Sequence, residues 1–239
     1  MQTLVKQILK KHYLYDYVIK TLRQCRIIIR KSYNDKDVIQ KYLTHHNLRK
    51  LNLGCWKNIL DGWLNSDYYP ISRHLIHLDA TKTFPLDDYE FDYVFGEHMI
   101  EHISYEQGQH MLKECYRVLK KGGKIRISTP DLSFFIDLYG SDKSELQKKY
   151  IKWTTETFIG SAPFCDSAFV INNFVRDWGH LFIYDERILR YSLEIAGFIN
   201  ITKFNLNSSE DDALRNLENE KRLPKGFLQL ESFTLEGTK

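Results

Sequence analysis

Acidic and histidine side chains follow successive strand-like segments of this 239-residue sequence. Asp67 ends WLNSD and Asp79 ends HLIHLD, while Glu97 and His98 end FDYVFGEH. Because the carboxyl ends of parallel strands meet at one edge of a sheet, we expect these groups to converge there. A carboxylate after the second strand can accept hydrogen bonds from both hydroxyls of a ribose, and an aspartate after the third can accept one from an exocyclic amine. The series favours a nucleoside-binding site.

A glycine turn precedes these groups in the chain. KLNLGC is typical of a short buried strand that runs into a turn at Gly54, with Cys55 and Trp56 next. Glycine lets the backbone approach a ligand closely and adopt a positive φ. Tryptophan at this point is unusual, and a strained backbone there would cost about 1–3 kcal/mol. Either the indole turns outward or covers the ligand, or the residue weakens binding.

Several side chains near this edge could transfer a proton. In EHMIEH, residues of the same type recur four positions apart and share a face if the stretch is helical. The order differs from that of the HExxH zinc motif, and we expect no metal. His102 is expected to be a packing histidine, whereas His180 is the better-placed base on the substrate side, unless it only hydrogen-bonds a loop carbonyl. The candidate bases and their helpers are His98, His102, His180, Glu97, Glu101 and Asp131.

Strands alternate with helices from residue 49 onward, which predicts an α/β domain with a mostly parallel, doubly wound sheet. The amphipathic helix SYEQGQHMLKECYRVLKKGG is expected to stop at Gly122 and Gly123. The last two strands are expected to form an antiparallel edge hairpin. The predicted strands are KLNLGC, WLNSDYY, HLIHLDA, FDYVFGE, KIRISTP, NITKFNL and FLQLESFTLEG.

Two segments depart from this alternation. Residues 1–48 predict an N-terminal helical extension, whose second helix is capped by Asn34 or Asp35. Residues 49–239 form the main domain, and within it the aromatic segment 131–180 follows the C-terminal end of a strand. That position favours a cap over the site, with a helical insertion that touches no ligand as the alternative.

Charge and cysteine content narrow the class of protein. The net charge is +3, yet residues 1–50 hold 12 Lys and Arg against three Asp. This basic head could contact a membrane surface or an acidic protein, or be a solvated helix face. We find no nucleic-acid motif and no apolar run long enough to span a bilayer, and we expect no signal peptide because the first residues lack its apolar region. Four widely spaced cysteines favour a reducing compartment, so we expect a cytoplasmic protein.

The run from Leu51 to Leu132 resembles the class I S-adenosylmethionine-dependent methyltransferases, and more narrowly the small bacterial methyltransferases linked to glycan biosynthesis. The resemblance implies a seven-stranded Rossmann-like sheet, S-adenosylmethionine as cofactor with S-adenosylhomocysteine as product, and O-methylation of a sugar or other small polar acceptor. The matching segments are LNLGC, GWLNSD, LDATKTFP, FDYVFGEHMIEHISYEQG, ECYRVLKKGGKIRISTPDL and NNFVRDWGHLFIYD.

The resemblance also implies roles for the residues of the first two strand ends. Gly54 and Cys55 would face the amino-acid portion of the cofactor, and Asp67 would bind the ribose hydroxyls. The family pattern here is glycine-cysteine-glycine, so Trp56 departs from it. Since the polar groups of the site are retained, we expect that the cofactor still binds.

The third and fourth strand ends complete the implied site. Asp79 and Ala80 would contact the adenine, while Glu97 and His98 would lie beside the methionine part and the reacting methyl group. Two other classes stay open. A catalytically impaired protein of the same fold could serve as a binding module, and a nicotinamide-dependent oxidoreductase is disfavoured because the turn lacks GxGxxG. The sequence does not give the oligomeric state.

Overall fold

The computed structural model describes residues 35–239, which form a seven-stranded sheet flanked by helices. Burial on both faces explains the near-continuous apolar runs of the central strands. The strands are β1 (Lys50–Leu53), β2 (Leu64–Asp67), β3 (Ile76–His77), β4 (Phe91–Glu97), β5 (Leu119–Pro130), β6 (Ile199–Phe204) and β7 (Ser232–Thr238). The helices are α1 (Asp35–His45), α2 (Tyr105–Val118), α3 (Leu132–Asp137), α4 (Glu145–Phe158), α5 (Ser167–Arg176), α6 (Glu186–Ala196) and α7 (Phe227–Glu231).

The strand order is β3-β2-β1-β4-β5-β7-β6. Strands β1 to β5 are parallel to one another, and β7 runs antiparallel to both strands beside it, β5 and β6. This arrangement confirms the predicted fold class. The predicted antiparallel pairing of the last two strands at an edge of the sheet is confirmed, with β6 at the edge and β7 between β5 and β6. The apolar start of the last predicted strand is helix α7.

Helix α2 begins at a capping box. The Ser104 side chain accepts from the Gln107 amide, and the Gln107 side chain accepts from the Ser104 amide. The helix ends at Val118, earlier than the predicted stop at the glycine pair. Leu119 is fully buried and pairs with Phe91 of β4, so the chain passes directly from helix to strand. The glycines therefore lie within β5 and not in a helix cap.

Helix α1 packs on the sheet through Ile39 and Tyr42, which belong to the main apolar core. The Lys50 amide at the start of β1 donates to the Tyr42 hydroxyl at 2.7 Å. Helix α1 corresponds to the predicted second helix of the extension. Residues 1–34 lie outside the described part of the chain. Within residues 35–239, no helix is both long and apolar enough to cross a bilayer.

The segment 131–180, called the cap below, contains α3, α4 and α5 and has its own apolar cluster. Phe135 and Phe174 stack with ring centroids 3.7 Å apart, which ties α3 to α5. Helix α7 joins this cluster through Phe227, so the cap is attached to the element that leads into β7. The cluster's buried members are Phe134, Phe135, Leu138, Tyr150, Ile151, Val170, Phe174 and Phe227.

Candidate functional site

A cavity of about 1110 Å³ lies at the carboxyl ends of β1 to β4 and is bordered by the cap. Its volume exceeds the usual upper range of about 1,000 Å³ for small-molecule pockets. The predicted site residues that line it are Gly54, Trp56, Asp67, Asp79, Ala80, His98 and His180. The cap contributes a mainly aromatic wall of Tyr150, Trp153, Thr154, Phe158, Phe174 and Trp178.

Gly54 forms the turn after β1 with a positive φ of 62°. A Cβ atom at this position would lie 2.3 Å from Cγ of Met99, which itself lines the cavity. Both the backbone conformation and the space therefore require glycine. The close contact here is with the Met99 side chain, and the predicted close approach of the backbone to a ligand stays a prediction.

Trp56 and Asp67 are joined across the first two strand ends. The backbone of Trp56 has a positive φ of 40°, and its amide donates to Oδ2 of Asp67 at 2.8 Å. The Tyr69 amide donates to Oδ1 at 2.7 Å, so two backbone groups fix the carboxylate. The indole is 60% exposed and lies beside the Lys57 ammonium, 4.6 Å from the ring centroid. It borders the cavity without filling it.

Asp79 follows β3, and its Oδ1 accepts from the amide of Thr81 at 3.0 Å and from its hydroxyl at 2.7 Å. Among the described residues, no hydrogen bond to Oδ2 of Asp79 is present. Beside it, the wall formed by Tyr68, Tyr69, Pro70 and Ile71 lines the same part of the cavity. Sequence analysis missed this wall, although its position directly after Asp67 was a usable signal.

His98 is held on both ring nitrogens. Nδ1 lies 3.3 Å from Oε1 of Glu101, and Nε2 lies 2.8 Å from the Ser232 hydroxyl. Burial lowers the pKa of His98 to about 4, although the adjacent Glu101 acts to raise it. The imidazole is therefore neutral near pH 7. Because both of its ring nitrogens already have polar partners, His98 is better suited to form part of the cavity wall than to accept a proton.

Glu97 turns away from the cavity, contrary to the implied role beside the cofactor. Its carboxylate accepts from the Asn58 side chain at 2.8 Å and from the Asn219 amide at 2.9 Å. Burial raises its pKa, while the charge of Arg222 acts to lower it. Glu97 is the last residue of β4, whereas His98 follows the strand with a positive φ of 47° and lines the cavity.

Two further predicted residues do not line the cavity. Cys55 is buried, and burial together with the charge of Asp67 raises the pKa of its thiol to about 12. Asp131 caps α3, where its carboxylate accepts from the Ser133 amide at 2.9 Å. A capping role accounts for Asp131 without any part in proton transfer.

Glu101, His102 and His180 form a cluster in the cavity wall. Glu101 is fully buried, and its Oε1 lies 4.0 Å from Nε2 of His102. The rings of His102 and His180 have centroids 4.9 Å apart. His102 was expected to be a packing histidine, but its side chain is 40% exposed and borders the cavity. The short 3₁₀ helix Ile100–His102 brings it there.

Nδ1 of His180 lies 2.7 Å from the Phe174 carbonyl oxygen. A carbonyl only accepts, so Nδ1 carries the proton and Nε2 has a free lone pair. Burial lowers the pKa of His180, and the bond to Phe174 opposes this. His180 therefore hydrogen-bonds a carbonyl in the last turns of α5, not one in a loop, and it also lines the cavity. Its role as a base on the substrate side stays a prediction.

Three residues of the wall were not found by sequence analysis. Arg222 and Glu231 come from the segment after β6, and Tyr150 comes from the cap. The Tyr150 hydroxyl donates to Oε2 of Glu231 at 2.5 Å. Burial raises the pKa of Glu231 to about 7, against the lowering effect of this bond. No local pattern marks these residues, because only long-range packing brings them to the cavity.

The sheet order, the single antiparallel strand and the flanking helices define the Rossmann-like methyltransferase fold. The family model described as "Methyltransferase domain" matches residues 63–127, which contain the ends of β2, β3 and β4. None of the curated proteins matches the sequence.

Solved structures with similarity to this chain include an S-adenosylmethionine-dependent methyltransferase from Archaeoglobus fulgidus, at 15% identity and a TM-score of 0.49, covering 89% of this chain and 98% of that one. A methyltransferase from Thermotoga maritima has 17% identity and a TM-score of 0.45. The alignment covers 90% of this chain and 97% of that one. A third structure is phosphoethanolamine N-methyltransferase 2 from Haemonchus contortus in complex with S-adenosyl-L-methionine. It has 15% identity and a TM-score of 0.43, and the alignment covers 80% of this chain and 48% of that one. Sequence identities and TM-scores this low give no evidence for the activity or the substrate of this chain.

Proposed function

We propose that this protein is an S-adenosylmethionine-dependent methyltransferase that O-methylates a sugar or other small polar acceptor. The observation that carries the proposal is the convergence of Asp67 and Asp79 on one cavity at the carboxyl edge of a parallel sheet. The match to the methyltransferase domain includes both residues and supports the same assignment.

The cofactor would lie along the first three strand ends. Each carboxylate oxygen of Asp67 accepts one backbone amide, and it can accept a further hydrogen bond from a ribose hydroxyl. Oδ2 of Asp79 is suited to accept from the adenine amine, with Ala80 beside it. Tyr68 and Ile71 supply apolar surface next to these groups. The cavity's volume leaves room for an acceptor as well.

When bound, S-adenosylmethionine would supply a methyl group already activated by a sulfonium, so orientation and exclusion of water provide most of the rate enhancement. The cap covers the cavity with aromatic side chains and serves this purpose. Trp153, Phe158 and Trp178 can stack on the faces of a sugar ring. Nε2 of His180 has the free lone pair that a general base needs for an acceptor hydroxyl.

Isothermal calorimetry with S-adenosylhomocysteine tests the cofactor assignment. We expect Asp67→Ala to weaken binding at least tenfold, because the ribose hydroxyls lose a charged acceptor. Asp87→Ala is the matched control, since Asp87 is exposed and does not line the cavity. Wild-type protein that does not bind the ligand would overturn the proposal and favour the impaired, binding-module alternative.

Transfer of labelled methyl groups to a panel of sugars and other hydroxyl compounds tests the acceptor. We expect incorporation into a base-stable ether, and none into amines. Labelling of amines alone would contradict O-methylation while leaving the methyltransferase proposal intact.

A further inference from the structure

We infer that Glu101, His102 and His180 bind one divalent transition-metal ion in the wall of the cavity. The inference revises the sequence-based expectation of no metal. Binding of the ion does not depend on the proposed methyl transfer, whereas its use in catalysis does.

The three side chains already lie close to a coordinating arrangement. One ligand atom from each lies within 4.8 Å of the other two. Oε1 of Glu101 and Nε2 of His102 are 4.0 Å apart. Two ligands about 2.0–2.1 Å from a tetrahedral zinc lie about 3.3 Å from each other, so shifts on the order of 1 Å complete the site. The partly exposed His102 has the freedom to make such a shift.

The polar groups around the cluster orient it for an ion. The Phe174 carbonyl fixes the proton of His180 on Nδ1 and leaves Nε2 available. A bond of this kind to the second ring nitrogen is the usual support of a metal-binding histidine. The Thr129 hydroxyl donates to Oε2 of Glu101 at 3.2 Å and holds the carboxylate in place.

Oε1 of Glu101 gives an independent indication of a ligand. The side chain is fully buried, yet Oε1 accepts no well-directed hydrogen bond from the described residues, and the nearest donor is Nδ1 of His98 at 3.3 Å. A buried carboxylate oxygen whose single close donor is poorly placed for a hydrogen bond is costly. A cation between this oxygen and the two histidines removes that cost.

The chemistry of the ligands selects the class of ion. Two imidazoles and one carboxylate suit zinc, cobalt, nickel or iron, whereas magnesium and calcium prefer oxygen ligands. Three protein ligands leave a coordination position open. Because all three residues line the cavity, that position faces the space in which the acceptor would lie.

The ion would change the role of His180, a consequence that rests on the proposed function. Coordination occupies Nε2, so His180 is then a ligand and no longer a base. A divalent ion lowers the pKa of a hydroxyl bound to it. The hydroxyl proton would pass to water, the acceptor oxygen would bond to the methyl carbon, and the carbon–sulfur bond would break to leave a neutral thioether.

Titration of chelator-treated full-length protein with Co²⁺ tests the site, followed by visible absorption and calorimetry. We expect one equivalent to bind, and zinc to displace it. His102→Ala and His180→Ala should each weaken binding at least tenfold. His74→Ala is the matched control, because His74 is exposed and lies outside the cavity. Thermal unfolding of each variant shows whether it folds.

Co²⁺ binding that neither substitution weakens would overturn the inference, as would wild-type protein that binds no Co²⁺. The titration is made without S-adenosylmethionine, so the two proposals fail separately. A protein that binds Co²⁺ but not S-adenosylhomocysteine contradicts only the proposed function. A protein that binds S-adenosylhomocysteine but no Co²⁺ contradicts only the metal site.

Discussion

Trp56 shows how a single residue accommodates an unfavourable backbone. Its positive φ would suit glycine, but this conformation directs the amide toward Oδ2 of Asp67. The exposed indole borders the cavity without filling it and contacts Lys57. The departure from the glycine pattern therefore affects the energy of the turn and does not block the space at the strand ends.

We predict that Trp56→Gly is more stable than Trp56→Ala by about 1 kcal/mol. Both variants remove the indole, but only glycine relieves the left-handed backbone, and part of that gain is lost to the entropy of glycine in the unfolded chain. Urea unfolding measures the difference. Equal stabilities would mean that the turn at residue 56 is not strained.

At the scale of the elements, a buried ion network joins β5, β7 and the segment between β6 and α7. The Arg126 guanidinium is fully buried and contacts the Glu218 carboxylate at 2.8 Å and Glu236 at 2.5 Å. It also donates to the Ser208 carbonyl at 2.8 Å. The network fixes the segment that leads to Asn219 and Arg222, and so supports one side of the cavity.

We predict that Arg126→Met lowers the free energy of unfolding by about 3–5 kcal/mol, because two carboxylates then lack their buried partner. Urea unfolding of this variant is compared with that of Arg187→Met, whose side chain is 83% exposed in the wild type and should cost less than about 1 kcal/mol. Adding Glu218→Gln and Glu236→Gln should recover part of the loss. Equal effects of the two arginine substitutions would contradict this account.

Most element types were predictable, because strand and helix periodicity are local properties. The errors occurred where tertiary pairing determined the ends. The glycine pair after α2 resembles a helix stop, but pairing of Leu119 with Phe91 ends the helix earlier. The stretch FLQLE was predicted as the start of a strand, yet it forms α7 and packs on the cap, in keeping with the helix propensity of Leu, Gln and Glu.

At the scale of the whole molecule, the cavity lies between the edge of the sheet and a cap with a separate apolar cluster. The hydrogen bond between Tyr150 of α4 and Glu231 of α7 links the cap to the helix that leads directly into β7. Membrane or protein contact through the basic head, the division at residue 48 and a cytoplasmic location all stay predictions.

The burial of Glu231 predicts a pH dependence of stability. Burial raises the pKa of Glu231 in the folded protein to about 7, from an ordinary value of 4.5. The folded protein therefore binds this proton more tightly, and stability falls as pH rises through the window between the two values. We predict that Glu231→Gln, which keeps an acceptor for Tyr150, gains up to about 3 kcal/mol relative to wild type between pH 5 and pH 8.

Urea unfolding of both proteins across this pH range measures the effect. Groups other than Glu231 titrate in both proteins, so the difference between the two curves isolates its contribution. Parallel curves would mean that the carboxyl group of Glu231 titrates at its ordinary value.

The sequence by itself determined the order of strands and helices, the glycine turn and the two aspartates at strand ends, because these depend on local periodicity and on the rule that parallel strands end at one edge. Only the tertiary structure decided which neighbouring side chains face the cavity. It directed the buried Glu97 away from the cavity and placed His102 in the cavity wall, and it brought Arg222 and Glu231 to the same wall. The physical reason is that the face a side chain occupies depends on strand register and long-range packing, which no short segment encodes.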